Sequence, residues 1–164
     1  AFAINVSYGR FKDAGYRYFF YLDHDNFPIR DFSVREILSD YVIAGLGQTK
    51  TKDGVVKNYF WPGCVMFDKN SIEEGLIDMS PNNELGLDTG GNLYKVIDHY
   101  EGKWKFFTEE YLQNTEFTKS QYDHYALIHE KTFMHFVNAS NWNNSEHNEE
   151  RINSLLAILE RYIT

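Results

Sequence analysis

Gln48-Thr-Lys-Thr-Lys52, Asp53-Gly54 and Val55-Val-Lys-Asn-Tyr-Phe-Trp61 decide the fold, because they read as two extended runs joined by an Asp-Gly pair. Both central positions of a two-residue hairpin loop want positive φ, which suits Asp and Gly, so the stretch predicts a β-hairpin. Working outward, residues 64–67 read as a further strand and residues 16–22 as a strongly aromatic one. Phe2, Ile4, Val6 and Tyr8 alternate with Ala3, Asn5 and Ser7. That period of two predicts a half-buried N-terminal strand, paired with residues 16–22 across a turn.

Helix signals come between and after these runs. Ser33-Val-Arg-Glu36 is a capping box, with Val34, Ile37, Leu38, Tyr41 and Val42 on one helical face behind it and Gly45 as the stop. Ser71-Ile-Glu-Glu74 reads as the box of a short helix, and residues 78–92 as a loop. Residues 93–107 fit either a hairpin across Glu101-Gly102-Lys103 or a helix and its stop. Tyr122, Tyr125, Ala126, His129, Phe133, Phe136 and Val137 recur at helical spacing, as do Ile152, Leu155, Leu156, Leu159, Tyr162 and Ile163. The expectation is an α+β fold: one domain over residues 1–164, a mostly antiparallel sheet with helices packed on one face, and a helical C-terminal third.

Composition narrows the function. The chain carries 24 acidic against 16 basic side chains, a net charge of -8, yet 17% of it is aromatic. The acid is lopsided: residues 1–60 sum to +1 and residues 61–164 to -9. An acidic surface repels nucleic acid and attracts a basic partner, and surplus aromatics are the usual anchors of protein interfaces. The lone Cys64, the lack of a bilayer-length apolar run, and the absence of a secretory core in Ala1-Phe-Ala-Ile-Asn-Val-Ser-Tyr-Gly9 suggest a cytoplasmic protein with no membrane partner.

Each catalytic motif fails on spacing or context. Asp88-Thr-Gly90 resembles the turn of an aspartic protease, but it occurs once and lacks the downstream apolar element. His129-Glu130 is followed by Phe133 where a zincin needs its second histidine. Gly45-Leu-Gly47-Gln-Thr-Lys50 lacks phosphate-loop spacing, and Cys64 has no adjacent base. No catalytic residue, metal or cofactor is expected. Asp23-His24-Asp25 supports the alternative, a small metal-dependent hydrolase. A third possibility, a structural protein of phage type, calls for a homo-oligomer burying the same aromatics.

What remains is the run Asp68, Glu73, Glu74, Asp78, Glu84 and Asp88, relieved by Lys69 alone. It reads equally as a solvated loop or as a docking patch, with Tyr59, Trp61 and Trp104 to fill the desolvated centre. A second route would have the edge of the residue 48–61 hairpin accept a strand from a partner. Phe32-Ser-Val-Arg-Glu-Ile-Leu-Ser-Asp-Tyr-Val-Ile-Ala-Gly-Leu-Gly-Gln-Thr49, Phe60-Trp-Pro-Gly-Cys-Val-Met-Phe67 and Ser71-Ile-Glu-Glu-Gly75 together resemble the immunity proteins of bacterial contact-dependent growth inhibition. The resemblance covers residues 32–75 and is one of general pattern. It implies a small cytoplasmic protein that binds the toxic C-terminal domain of a cognate toxin, expected to be a basic nuclease, and blocks it without turnover. It carries over no functional residue by position.

Overall fold

A computed structural model of the chain describes residues 2–112, 126–136 and 148–162. Its elements in order are α1 (Phe2–Asp13), β1 (Tyr18–Leu22), β2 (Asn26–Pro28), α2 (Val34–Ile37), β3 (Ile43–Lys52), β4 (Val55–Asp68), α3 (Tyr94–His99), β5 (Trp104–Phe106), β6 (Glu109–Leu112), β7 (Ala126–His129), β8 (Phe133–Phe136) and α4 (Asn148–Glu160). Contacts group them into two compact units. The first is Ala1–Asp23 with Ser33–Phe107, and the second is His24–Phe32 with Thr108–Thr164.

The first unit is built on the β3–β4 hairpin. Its loop is Asp53 (φ 51°) and Gly54 (φ 78°), and its ladder runs from Lys52↔Val55 to Ile43↔Phe67, with a register shift between Gly45 and Gly47. β1 pairs antiparallel with the far half of β4, and β5 pairs parallel with the far half of β3, giving the order β1-β4-β3-β5. Ile43, Phe60, Val65, Phe67, Met79, Leu93 and Val96 are wholly enclosed around this sheet. Each such side chain contributes about 1.5–3 kcal/mol by leaving water.

Several expectations are corrected here. Residues 2–8 are not a strand but the start of α1, since Ile4, Tyr8 and Phe11 form an i, i+4, i+7 stripe that packs on the core. β1 therefore pairs with β4 and not with an N-terminal strand. The Ser33 cap is present, its Oγ accepting from Glu36 N at 3.3 Å, but α2 lasts one turn. Val42 accepts from Asp68 N and donates to Lys103 O, so the apolar run that follows is drawn into a buried central strand. Residues 69–71 form a 3₁₀ turn capped by Asp68, in place of a helix at Ser71. For residues 93–107 the helix-and-stop alternative holds, as α3 followed by β5.

The second unit holds an all-antiparallel sheet in the order β2-β8-β7-β6. The expected helix across residues 126–136 is instead the β7–β8 hairpin. Its turn uses Glu130 and Lys131, both at φ 52°, and is held by Arg30 Nε on Thr132 Oγ1 (3.1 Å) and Arg30 Nη2 on Glu130 O (3.2 Å). Phe133, Met134 and Phe136 are buried, Phe27 lies 5.2 Å from Phe136 and Phe32 packs edge-on to Phe133. Tyr122, Tyr125 and Val137 fall outside the described residues. The single sheet with helices on one face and a helical C-terminal third thus gives way to two four-stranded sheets. Among the described residues no helix is long and apolar enough to cross a membrane.

Candidate functional site

The hairpin is longer than the sheet built on it. β1 reaches only residues 64–68 of β4 and β5 only residues 43–45 of β3. Residues 48–52 and 55–59 therefore form a two-stranded ribbon with no third strand beside it among the described residues. The pair closing a two-residue loop exchanges hydrogen bonds, and antiparallel pairs then alternate. Lys52↔Val55 and Lys50↔Lys57 thus bond across the ribbon, whereas Thr49 and Thr51 on one edge, and Val56 and Asn58 on the other, turn their N–H and C=O outward.

The ribbon's two faces differ. On one, Lys50 pairs with Asp88 at 2.8 Å, Lys52 Nζ donates to Glu84 O at 2.6 Å, and Lys57 pairs with Asp98 at 2.6 Å beneath the Tyr94 ring. The opposite charges cancel there and the face is stitched down. The other face carries Thr49, Thr51, Val56 and Asn58, all exposed, with Thr49 Oγ1 donating to Asn58 Oδ1 at 2.7 Å. At the tip Val55 is 51% and Val56 58% exposed, an unusual setting for two β-branched apolar side chains in succession.

The acidic run is mostly spent inside the fold. Asp68 is buried; burial opposes its ionisation, but Arg17 (2.6 Å), Ser71 Oγ and Asn70 N outweigh that and hold its pKa below the ordinary value. Asp78 is lowered in the same way, burial being outweighed by Ser80, Asn92 and Asn5. Glu74 pairs with Lys12, which lowers its pKa, and Asp88 takes Lys50 and the Tyr59 hydroxyl. Glu73 faces His99 at 3.6 Å, and among the described residues neither Glu73 nor Glu84 places its carboxylate on a lysine or arginine.

The three aromatics are not brought together as one surface. Tyr59 is wholly enclosed, its hydroxyl donating to Asp88 (2.8 Å) and contacting Gln48; burial, then Asp88, raises its pKa. Trp61 is half-buried, lying so close over Gly63 that a Cβ there would strike its ring. Trp104 is half-buried on the core, 4.9 Å from Phe106.

Sequence spacing missed a polar line in the second unit. His129 Nε2 and His135 Nδ1 face each other at 3.5 Å as diagonal neighbours across β7 and β8. His135 Nε2 lies 3.8 Å from Asp25 Oδ2, and His129 Nδ1 lies 3.8 Å from Glu109 Oε1. Both histidines and Asp25 are buried, and burial, then His135, pushes the His129 pKa down to about 4. Only strand pairing assembles residues 25, 109, 129 and 135, so no local signal could reveal them. Nearby, Asp23, His24 and Asp25 each offer a ligand atom within 4.8 Å of the others, but Asp25 already faces His135 and accepts from Asn26 Nδ2 at 3.0 Å.

No protein-family model matches the chain, and no curated protein and no solved structure is detectably similar to it.

Proposed function

We propose that this chain is a stoichiometric protein-binding inhibitor of the immunity class, which neutralises the basic toxic domain of a contact-dependent inhibition toxin by contact and without turnover. The observation that supports this best is the open outer half of the β3–β4 ribbon. Outward amides and carbonyls at Thr49 and Thr51, or at Val56 and Asn58, are a template for one more strand, and the exposed valines supply apolar area beside it. Backbone pairing provides affinity, and side chains at alternate positions select the partner.

Charge plays a second role. The net -8 speeds the arrival of a basic domain, with Glu73 and Glu84 as the carboxylates of the acidic run that, among the described residues, meet no lysine or arginine, whereas the lifetime is set at the ribbon. Since Tyr59 is enclosed, Trp61 and Trp104 are the remaining aromatic candidates at the contact. Binding nucleic acid directly is no part of this role, and a reducing cytoplasm suits the buried, unpaired Cys64.

The test is co-purification with the product of the neighbouring reading frame. Wild type should yield a one-to-one complex, and Thr51→Pro or Val56→Pro, each removing an outward donor, should abolish it without lowering the melting temperature by more than a few degrees. Glu73→Lys with Glu84→Lys should slow association and flatten its salt dependence while leaving dissociation unchanged. A complex indifferent to both proline variants would refute the ribbon as the contact.

A further inference from the structure

We propose that His129 Nε2 and His135 Nδ1 form a seat for a borderline divalent transition metal of the zinc class, backed on one side by Glu109 and on the other by Asp25. The argument is a count of protons. Each neutral imidazole carries one. If His129 donates to His135 across the pair, its outer nitrogen becomes a bare lone pair facing Glu109. If His135 donates, its outer nitrogen faces the buried Asp25 in the same way. In either of these tautomers a carboxylate confronts a lone pair, and when both outer nitrogens carry the protons the two inner lone pairs face each other instead. A cation in the middle lets both outer nitrogens donate towards their carboxylates without that repulsion.

Distance favours a metal ion over a shared proton. The two inner nitrogens are 3.5 Å apart, longer than the roughly 2.7–3.2 Å usual for a good hydrogen bond from N–H. Two imidazole ligands on a tetrahedral ion, each about 2.0–2.1 Å from it, stand about 3.3 Å apart. The outer shell fits as well. A ligating histidine ordinarily gives its second N–H to a carboxylate, which fixes the tautomer and strengthens the ligand, and here each ring faces one at 3.8 Å. His129 Nδ1 is fully buried with no hydrogen-bond partner, and metal on Nε2 would make that atom a donor and draw Glu109 onto it. The Glu109 side chain is 53% exposed, so the seat lies one residue in from solvent on that side. The remaining coordination positions would be filled by water or an outside ligand. The inference is independent of the binding role.

Titration of chelator-treated full-length protein with Co²⁺, followed by its visible absorption and by competition with Zn²⁺, tests this. One ion per chain with a tetrahedral spectrum is expected. His129→Gln or His135→Gln should lose it, Glu109→Gln should weaken it about 10- to 100-fold, and His24→Ala should leave it unchanged. No saturable one-to-one binding would overturn the proposal, as would binding that His24→Ala removes and His135→Gln leaves. Should the histidine variants fail to fold, Glu109→Gln decides, and an unchanged affinity counts against the seat.

Discussion

Asn5 offers the sharpest test of how the first unit is held. It sits on α1 and reaches the loop ahead of α3: its Oδ1 accepts from Met79 N at 3.0 Å, and its Nδ2 donates to Ser80 Oγ at 3.0 Å and Asp78 Oδ1 at 3.3 Å. Replacing it with alanine orphans the backbone N–H of Met79, a residue wholly enclosed, at about 1–3 kcal/mol. The lost Nδ2 bonds add about 1 kcal/mol, because Asp78 keeps Ser80 N (2.9 Å) and Asn92 Nδ2 (2.7 Å). Alanine's better helix propensity returns about 0.5 kcal/mol. The net expectation is a loss of about 1.5–3.5 kcal/mol, read as a lower urea midpoint with an unchanged slope, or a melting temperature about 3–14 °C lower. Asn5→Asp should also destabilise: it keeps the acceptor for Met79 but sets a second carboxylate beside Asp78. A loss for Asn5→Ala below about 0.5 kcal/mol would refute this account of the α1 anchor.

Three further outcomes follow from the same unit. Asp68 has a native pKa below its unfolded value, so its contribution is complete above the unfolded value near about 4 and disappears as pH falls through the native one. Asp68→Asn should therefore be less stable than wild type at pH 7, with the gap closing in strong acid, as urea midpoints across pH will show. Cys64 is wholly enclosed and burial raises its thiol pKa, so a thiol reagent should label it only at the rate of unfolding; rapid labelling without denaturant would contradict its placement. Gly90 has φ 85°, and a Cβ there would strike Phe60 O and lie 2.7 Å from Pro62 Cδ, so Gly90→Ala should cost more stability than the backbone penalty of about 1–2 kcal/mol alone.

The β3–β4 hairpin was legible because its turn chemistry is local: Asp53 and Gly54 do adopt the positive φ that their identity suggests. The Ser33 cap was legible for the same reason, but the length of its helix was not. Hydrogen bonds that Val42 donates to Lys103 O and accepts from Asp68 N, far along the chain, decide that residues 43–46 join a buried strand. The β7–β8 hairpin was hidden twice. Its turn residues, Glu130 and Lys131, give no glycine or asparagine signal for positive φ, and burial on both faces of β8 erases the alternation that marks a strand. At the candidate site, counting charge located the acids but not their partners: Arg17, Lys12 and Lys50 arrive through the fold to occupy Asp68, Glu74 and Asp88. The open ribbon edge followed from the hairpin signal together with the shortness of β1 and β5, which no spacing revealed.

Amide hydrogen exchange, resolved by residue and compared between the free chain and its complex with the proposed basic toxin domain, addresses the central claim most directly. Outward amides at Thr49 and Thr51, or at Val56 and Asn58, should exchange fast in the free chain and become strongly protected on one edge in the complex. Unchanged exchange on both edges, with protection appearing elsewhere, would contradict binding at the ribbon.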